Sequence, residues 1–249
     1  MRKIYLVPNF VTTANMFCGF YSIIASIHHD FIVAAWAILA AAVFDMLDGR
    51  IARLAKATSQ FGVEYDSLSD LMSFGAAPGI LLYEWALEPF GRLGWLAAFL
   101  YVACGALRLA RFNVNSAALP KGFFQGLPIP MAAGTVATYI IFHQTVGWES
   151  ATNVVALVLT FGMASLMVST IQFPSFKELN WRSRASFGYL LVGMLAMILI
   201  AVKPEYTLFL ILSLYIVVSL LWNLNRVARG KHPAKVTVIS PTQTHPEKF

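Results

Sequence analysis

Charged residues are scarce in this sequence. Asp, Glu, Lys and Arg make up only 12% of its 249 positions, whereas 58% of the residues are hydrophobic. A soluble domain normally carries about 25% charged residues, so this scarcity excludes an ordinary water-soluble fold. The mean hydropathy of +0.68 supports the same conclusion. The sequence therefore predicts an integral membrane protein.

Cysteine is scarce too, with only Cys18 and Cys104, each inside an apolar stretch. Two buried thiols are typical of small hydrophobic packing, which excludes a disulfide framework and a cysteine metal site. The sequence also lacks an internal repeat and a long linker, so we expect one polytopic catalytic domain over residues 1–229. The polar, basic segment 230–249 is predicted to be a disordered cytoplasmic tail.

Apolar runs of about 20 residues recur along the chain, and a helix of that length crosses a hydrocarbon core of about 30 Å. We therefore predict an all-α integral membrane protein with about eight transmembrane helices. Their approximate spans are residues 9–27, 32–57, 64–85, 93–114, 127–146, 152–172, 185–202 and 207–226.

The positions of the basic residues predict the orientation of these helices. Of the 18 Lys and Arg residues, all but Arg92 and Lys203 fall on one set of alternate connections. Because basic residues accumulate on the cytoplasmic side, we expect both termini to be cytoplasmic. The net charge of +6 is spread over all of these connections and not gathered in one patch. This distribution fits membrane topology and anionic membrane lipids as partners, and it argues against nucleic acid.

Aspartate is the rarest charged residue, and four of the five aspartates lie between positions 45 and 70. Asp45 and Asp48 share one face of a predicted helix, and Asp66 and Asp70 share one face of the next. The short polar connection makes the two helices antiparallel neighbours, so the acidic faces can meet at the cytoplasmic end. Carboxylates gathered at a membrane boundary repel one another, and Arg53 supplies only one positive charge. Hard divalent cations with oxygen ligands, Mg²⁺ or Mn²⁺, fit this cluster, and a pair of ions suits phosphoryl transfer.

Small residues separate the acidic positions of the first helix. Gly49 and Ala52 leave a shallow groove, in which a phosphate-bearing ligand could lie beside Arg53. Two other interpretations stay open. The aspartates could be solvated charges next to an ordinary helix contact, or the pocket could be the transit site of a divalent-cation transporter. A transporter is expected to carry polar groups along several spans, whereas the charges here stay near one end of the predicted helices.

Residues 45–70 read D-x2-D-G-x2-A-R-x8-G-x3-D-x3-D, with every fixed position filled. This pattern resembles the signature of the CDP-alcohol phosphatidyltransferases. The resemblance implies metal-dependent transfer of a phosphatidyl group from CDP-diacylglycerol to an alcohol, with release of CMP, by a homodimer. It implies that Asp45, Asp48 and Asp66 hold two divalent ions and that Asp70 completes the site. Asp70 is also the candidate base for the attacking hydroxyl, and whether it acts chiefly as base or as ligand stays open.

Three further patterns concern the acceptor alcohol. They are P-N-x2-T-x2-N at residues 8–15, G-x2-R-L-A-R-F-N at residues 105–113 and F-x-G-L-P-x-P at residues 124–130. These resemble the branch of the family that uses L-serine, which implies phosphatidylserine as the product. The alternatives within the family are glycerol 3-phosphate or inositol phosphate as the acceptor, and an ether-lipid CDP donor.

The sequence also offers candidates for substrate binding. Recognition of the serine carboxylate requires hydrogen-bond donors, preferably cations. The cytoplasmic end of the fourth helix and the connection after it carry such groups. The candidates for acceptor binding are Arg108, Arg111, Lys121 and Gln125. Gly62 is expected to permit either the turn into the third helix or a close approach to the nucleotide. The full set of candidates for CDP-lipid binding is Asn9, Thr12, Gly49, Ala52, Arg53 and Gly62.

Overall fold

A computed structural model describes residues 6–54, 59–115, 123–147, 152–174 and 186–229. These residues are mostly helical, as expected for an apolar chain whose backbone groups must bond internally within a membrane. The α-helices are α1 (Leu6–Ile27), α2 (Phe31–Leu54), α3 (Gln60–Asp70), α4 (Ala77–Leu82), α5 (Arg92–Asn115), α6 (Ile129–Val146), α7 (Thr152–Val168), α8 (Ser186–Val202) and α9 (Pro204–Ala228). Two short strands, β1 (Phe123–Gln125) and β2 (Gln172–Pro174), pair antiparallel.

The third predicted span is an irregular helical stretch. Between α3 and α4 the residues Leu71–Ala76 form π-helical turns, and Tyr83–Leu87 form a second π-helical segment after α4. The backbone at the junctions keeps right-handed helical torsion angles, so one helical stretch runs from α3 to Leu87. Turns of this kind are rare and frequently occur at functional sites. The first of them begins directly after Asp70.

Each predicted span overlaps one helical stretch of the structure. Four helices among the described residues are long and apolar enough to cross a membrane, with windows at Asn9–Ile27, Phe31–Ile51, Arg92–Val114 and Pro204–Arg226. The chain is therefore a mostly helical integral membrane protein with four candidate spans, and the count of eight stays a prediction. The predicted tail, residues 230–249, lies outside the described residues.

Helix α1 positions the third stretch by packing along it. The Ser69 hydroxyl donates to the carbonyl of Thr12 at 3.0 Å, and the Ser73 hydroxyl donates to the carbonyl of Asn15 at 3.0 Å. Both pairs advance in the same chain direction, so α1 and this stretch run parallel. Helix α2 follows α1 after the short connection 28–30 and packs against it as well. The acidic end of α2 and the start of α3 therefore meet beside α1.

Candidate active site

Three carboxyl groups come together between α2 and α3. Asp45 and Asp48 lie one turn apart near the end of α2, and Asp66 lies on α3. One oxygen atom from each residue lies within 4.8 Å of the other two. Asp48 is buried, with 4% of its surface exposed. The acidic faces of the two helices meet as the sequence predicted, and we call these three residues the aspartate trio.

Asp70 lies one turn beyond Asp66, next to the aspartate trio but with different contacts. Its Oδ1 accepts a hydrogen bond of 3.3 Å from the amide nitrogen of Asn15. Its carboxyl group also lies close to that of Asp45. With 9% of its surface exposed, Asp70 is nearly as buried as Asp48. Its environment is therefore shaped by α1 as well as by the acidic helices.

Helix α1 supplies another wall of the site. The hydroxyl group of the buried Thr12 donates a hydrogen bond to the carboxylate of Asp48. Thr13 and Tyr65 are joined through their hydroxyl groups at 2.9 Å. Asn9 lies beside the first turn of α3, since its Oδ1 is 3.9 Å from where a Cβ on Gly62 would stand. These contacts fix the position of α3 relative to α1.

The oxygen atoms of the aspartate trio fit a divalent cation. Asp48 Oδ2 and Asp66 Oδ1 are buried, and neither has a hydrogen-bond partner among the described residues. A buried carboxylate oxygen without a partner is costly. A hard cation with oxygen ligands, such as Mg²⁺ or Mn²⁺, would satisfy both atoms and offset the repulsion between the carboxylates.

The residues predicted for the CDP-lipid groove fall into two groups. Gly49 is exposed, and a Cβ added to it would meet no atom within 4 Å, so the helix surface is open there. The side chains of Ala52 and Arg53, and all of Lys121, lie outside the described residues.

Gly62 was predicted to permit either the turn into the third helix or a close approach to the nucleotide. It lies within α3, where its N–H donates to the hydroxyl of the N-cap residue Ser59 at 3.0 Å. The glycines with a positive φ among the described residues are Gly91, Gly126 and Gly147. Gly62 has an ordinary helical backbone in the first turn of α3, where a Cβ would lie 3.2 Å from the Ser59 hydroxyl oxygen, and its role in the turn into α3 stays a prediction. The other prediction for Gly62, a close approach to the nucleotide, also stays a prediction.

Arg108 on α5 brings a positive charge to the acids. Only 7% of its surface is exposed, and its guanidinium interacts electrostatically with Asp70. The same group lies over the ring of Phe112, 5.4 Å from its centroid. Sequence reasoning gave the role of neutralising the acids to Arg53 and cations, whereas the structure adds Arg108 to it.

Arg111 requires a correction, since it is engaged elsewhere. Its guanidinium donates to the carbonyl oxygens of Val168 at 2.9 Å, Met167 at 3.1 Å and Ser169 at 3.2 Å, at the end of α7. It also donates to the carbonyl of Gln125 at 3.2 Å. The carbonyls at the end of a helix lack intrahelical partners, so the arginine caps α7 and, through the Gln125 carbonyl, ties it to β1. The prediction that Arg111 binds the acceptor does not fit these contacts.

We expect Arg111→Ala to destabilise the fold and to leave acceptor selection intact. Removing the guanidinium leaves several carbonyls without a donor, which costs about 1.5–3 kcal/mol. The unfolding temperature of the purified protein in detergent should fall, while Arg111→Lys should recover only part of it, because lysine lacks the planar fork. Arg92→Ala is the matched control, since Arg92 is exposed at the start of the same helix. A higher KM for serine with an unchanged unfolding temperature would contradict this assignment.

The sequence analysis predicted no role for Ser69 and Ser73, and for Asn15 it predicted only hydrogen bonds from the first helix. Ser69 and Ser73 anchor the third stretch to α1, and Asn15 bonds Asp70. The signal for the two serines was present, because they share a helix face with Asp66 and Asp70. Asn15 belongs to one of the quoted patterns, but its contact with Asp70 depends on the packing of α1.

A family model described as CDP-alcohol phosphatidyltransferase matches residues 5–168. These residues contain the aspartate trio, Asp70 and Arg108, and they make up most of the chain. The chain belongs to the CDP-alcohol phosphatidyltransferase family.

Several named relatives lie within this family. The chain is 35% identical over 222 residues to a CDP-diacylglycerol–serine O-phosphatidyltransferase from Helicobacter pylori, covering 89% of this chain and 92% of the relative. It is 37% identical over 173 residues to a protein of the same name from Bacillus subtilis, covering 69% and 92%. It is also 37% identical over 170 residues to an archaetidylserine synthase from Methanothermobacter thermautotrophicus, covering 68% and 69%.

Proposed function

We propose that this protein transfers the phosphatidyl group of CDP-diacylglycerol to the hydroxyl group of L-serine, giving phosphatidylserine and CMP. The observation that carries the proposal is the aspartate trio, in which two buried carboxylate oxygens on the family motif have no hydrogen-bond partner within the described part of the chain. The names of the relatives support serine as the acceptor.

The four aspartates have different proposed roles in the reaction. Asp45, Asp48 and Asp66 would hold the ions, and Asp70 would complete the site. When bound, a pair of divalent ions, Mg²⁺ or Mn²⁺, supplies Lewis-acid chemistry at the pyrophosphate. Thr12 keeps the Asp48 carboxylate in place by donating to it. The dominant contribution of the protein is therefore to position charge where the pyrophosphate lies.

Asp70 is proposed as the base. The serine oxygen forms a new bond to the phosphorus of the phosphatidyl group, and the bond from that phosphorus to the CMP oxygen breaks. The hydroxyl proton passes to the Asp70 carboxylate, and CMP leaves with the bonding electron pair. Asn15 donates a hydrogen bond to this carboxylate from α1, and the charge of Arg108 acts on it from α5. The hydrogen bond from Asn15 fixes the position from which Asp70 accepts the proton.

The substrates are proposed to lie on opposite sides of the aspartates. The CDP-lipid occupies the open surface at Gly49, with Asn9, Thr12, Ala52, Arg53 and Gly62 around it. The acceptor lies toward α5, where the guanidinium of Arg108 interacts electrostatically with Asp70. Lys121 and the side chain of Gln125 remain proposed contributors from the following connection.

The membrane arrangement completes the proposal. Eight helical passes would place both termini and the acidic site on the cytoplasmic side, consistent with the distribution of Lys and Arg. Residues 1–229 would form the catalytic domain, residues 230–249 a cytoplasmic tail, and two chains a homodimer in contact with membrane lipids.

Release of CMP tests this function directly. Purified protein in detergent receives CDP-diacylglycerol, Mg²⁺ or Mn²⁺, and L-serine, glycerol 3-phosphate or inositol phosphate in separate reactions. We expect CMP and phosphatidylserine with serine, and neither product after chelation of the metal. Release with a phosphorylated alcohol but not with serine would refute the acceptor. A parallel reaction with an ether-lipid CDP donor is motivated by the relative named archaetidylserine synthase. Metal uptake into liposomes without CMP release would instead support the transporter.

A further inference from the structure

Two buried polar atoms near Asp70 lack partners among the described residues, and they have opposite character. One is the amide oxygen of Asn15, which can only accept a hydrogen bond. The other is Nε of Arg108, which can only donate. Asn15 is fully buried and Arg108 is 7% exposed, so bulk water does not readily satisfy either atom. Buried polar groups are normally paired, and an unpaired donor and acceptor around one carboxylate point to a ligand that bonds both.

The orientation of the Asn15 amide follows from its neighbour. A carboxylate oxygen accepts hydrogen bonds, so the amide nitrogen must face Asp70 Oδ1, as it does at 3.3 Å. The amide oxygen therefore faces away from that contact. The backbone of α1 that carries this amide is anchored, because the carbonyl of Asn15 accepts from Ser73 and the carbonyl of Thr12 accepts from Ser69. Helix α1 thus presents a fixed acceptor next to Asp70.

Arg108 presents the complementary charge from another helix. Its guanidinium lies over the Phe112 ring and interacts electrostatically with Asp70. Arg111, one turn further along α5, is taken up by the end of α7, so it does not compete for a ligand at the acids. Among the described residues near Asp70, the anion-binding group is therefore Arg108.

We infer that Asn15 and Arg108 together recognise the α-amino acid group of the acceptor. The Asn15 amide oxygen accepts a hydrogen bond from the ammonium group, and Arg108 donates to the carboxylate. The hydroxyl group is left to Asp70. In serine these three groups are attached to Cα directly or through one carbon, so their protein partners must surround a single point. Asn15 contacts Asp70 and the charge of Arg108 acts on the same carboxylate, which makes Asn15 a specificity-determining residue. This inference rests on the proposed function.

Acceptor analogues test the role of Asn15. The rate of CMP release is measured as kcat/KM with L-serine and with 3-hydroxypropionate, which is serine without its amino group. We expect the wild-type protein to prefer serine by about 100-fold or more, because an analogue without the ammonium leaves the Asn15 oxygen unpaired. Asn15→Leu should lower this ratio by at least about tenfold, since leucine has no acceptor to reward the ammonium group. The ratio cancels any loss of rate that comes from the missing contact to Asp70.

Asn223→Leu is the matched control. Asn223 lies on α9, where it bonds the backbone of Gln172, so its replacement should leave the ratio between the two acceptors unchanged. Asn15→Leu with the wild-type ratio would overturn the inference. If that variant does not fold, the wild-type protein decides alone, because equal use of serine and 3-hydroxypropionate is incompatible with recognition of the ammonium group. Absence of CMP release with serine would refute the proposed function itself, which is a different outcome.

Discussion

The Asp66→Asn variant is expected to lose nearly all turnover while remaining folded. Asparagine keeps the size of the side chain but removes a negative charge and one strong oxygen ligand from the aspartate trio. Loss of a residue that only supports a metal ligand typically costs 10–100-fold in metal affinity or activity. Loss of a ligand should exceed that, so we expect a decrease in CMP release of more than about 100-fold.

Two measurements separate a lost ligand from a lost fold. The unfolding temperature of Asp66→Asn without metal should be equal to or above that of the wild type, because one repelling carboxylate is gone. Added Mn²⁺ should raise the unfolding temperature less in the variant than in the wild type, because a ligand that binds the folded protein more weakly stabilises it less. Asp30→Asn is the matched control: Asp30 is exposed directly before α2, and asparagine serves equally well at a helix start. Activity near the wild-type level at moderate metal concentration in Asp66→Asn would refute the assignment of the aspartate trio.

Gly19→Val is expected to prevent assembly of the site without touching a reacting group. A Cβ on Gly19 would stand 2.6 Å from Cα of Ser73 and would also collide with the Ser73 hydroxyl. Backbone cannot yield as a flexible side-chain tip can, so α1 and the third stretch must separate. Ordinary overpacking costs about 1–3 kcal/mol, and we expect a larger loss here. The Ser73 bond to Asn15 would break, and Asp70 would lose its position.

The result for Gly19→Val is read from folding and from activity together. We expect little monodisperse protein after extraction in detergent and no CMP release from membranes that contain the variant. Gly162→Val makes the same change at a helical glycine whose Cβ would meet no atom within 4 Å. That control should be extracted normally and remain active. Normal extraction and activity of Gly19→Val would show that α1 does not pack on the third stretch as described.

The helices were predictable because their signal is local. Runs of apolar residues long enough to cross a membrane appear directly in the sequence, and each predicted span overlaps a helical stretch. The π-helical turns after Asp70 were not predicted, because they depend on how neighbouring helices pack against the segment from α3 to Leu87. The hydrophobicity of residues 64–85 does not distinguish a regular helix from an interrupted one.

The two arginines of α5 show why the acceptor side was only half predictable. Arg108 and Arg111 lie three residues apart, carry the same charge and belong to the same pattern. The charge of Arg108 acts on Asp70, whereas Arg111 caps α7. The choice depends on the rotation of α5 against its neighbours and on Gly126. Its φ is +77°, and a Cβ there would lie 2.7 Å from Arg111 Nη2. No local property of the sequence specifies that rotation.

The sequence alone determined that the protein is a helical membrane protein with a phosphatidyl-transfer motif. The length of an apolar run is a property of one helix, and the spacing of Asp45, Asp48, Asp66 and Asp70 concerns two helices that are adjacent in the sequence. Both signals are therefore local. The tertiary structure decided that Asn15 bonds Asp70, that Arg108 faces the acids and that Arg111 does not. These contacts join residues far apart in the chain, so they exist only once α1, α5 and α7 have packed at defined rotations.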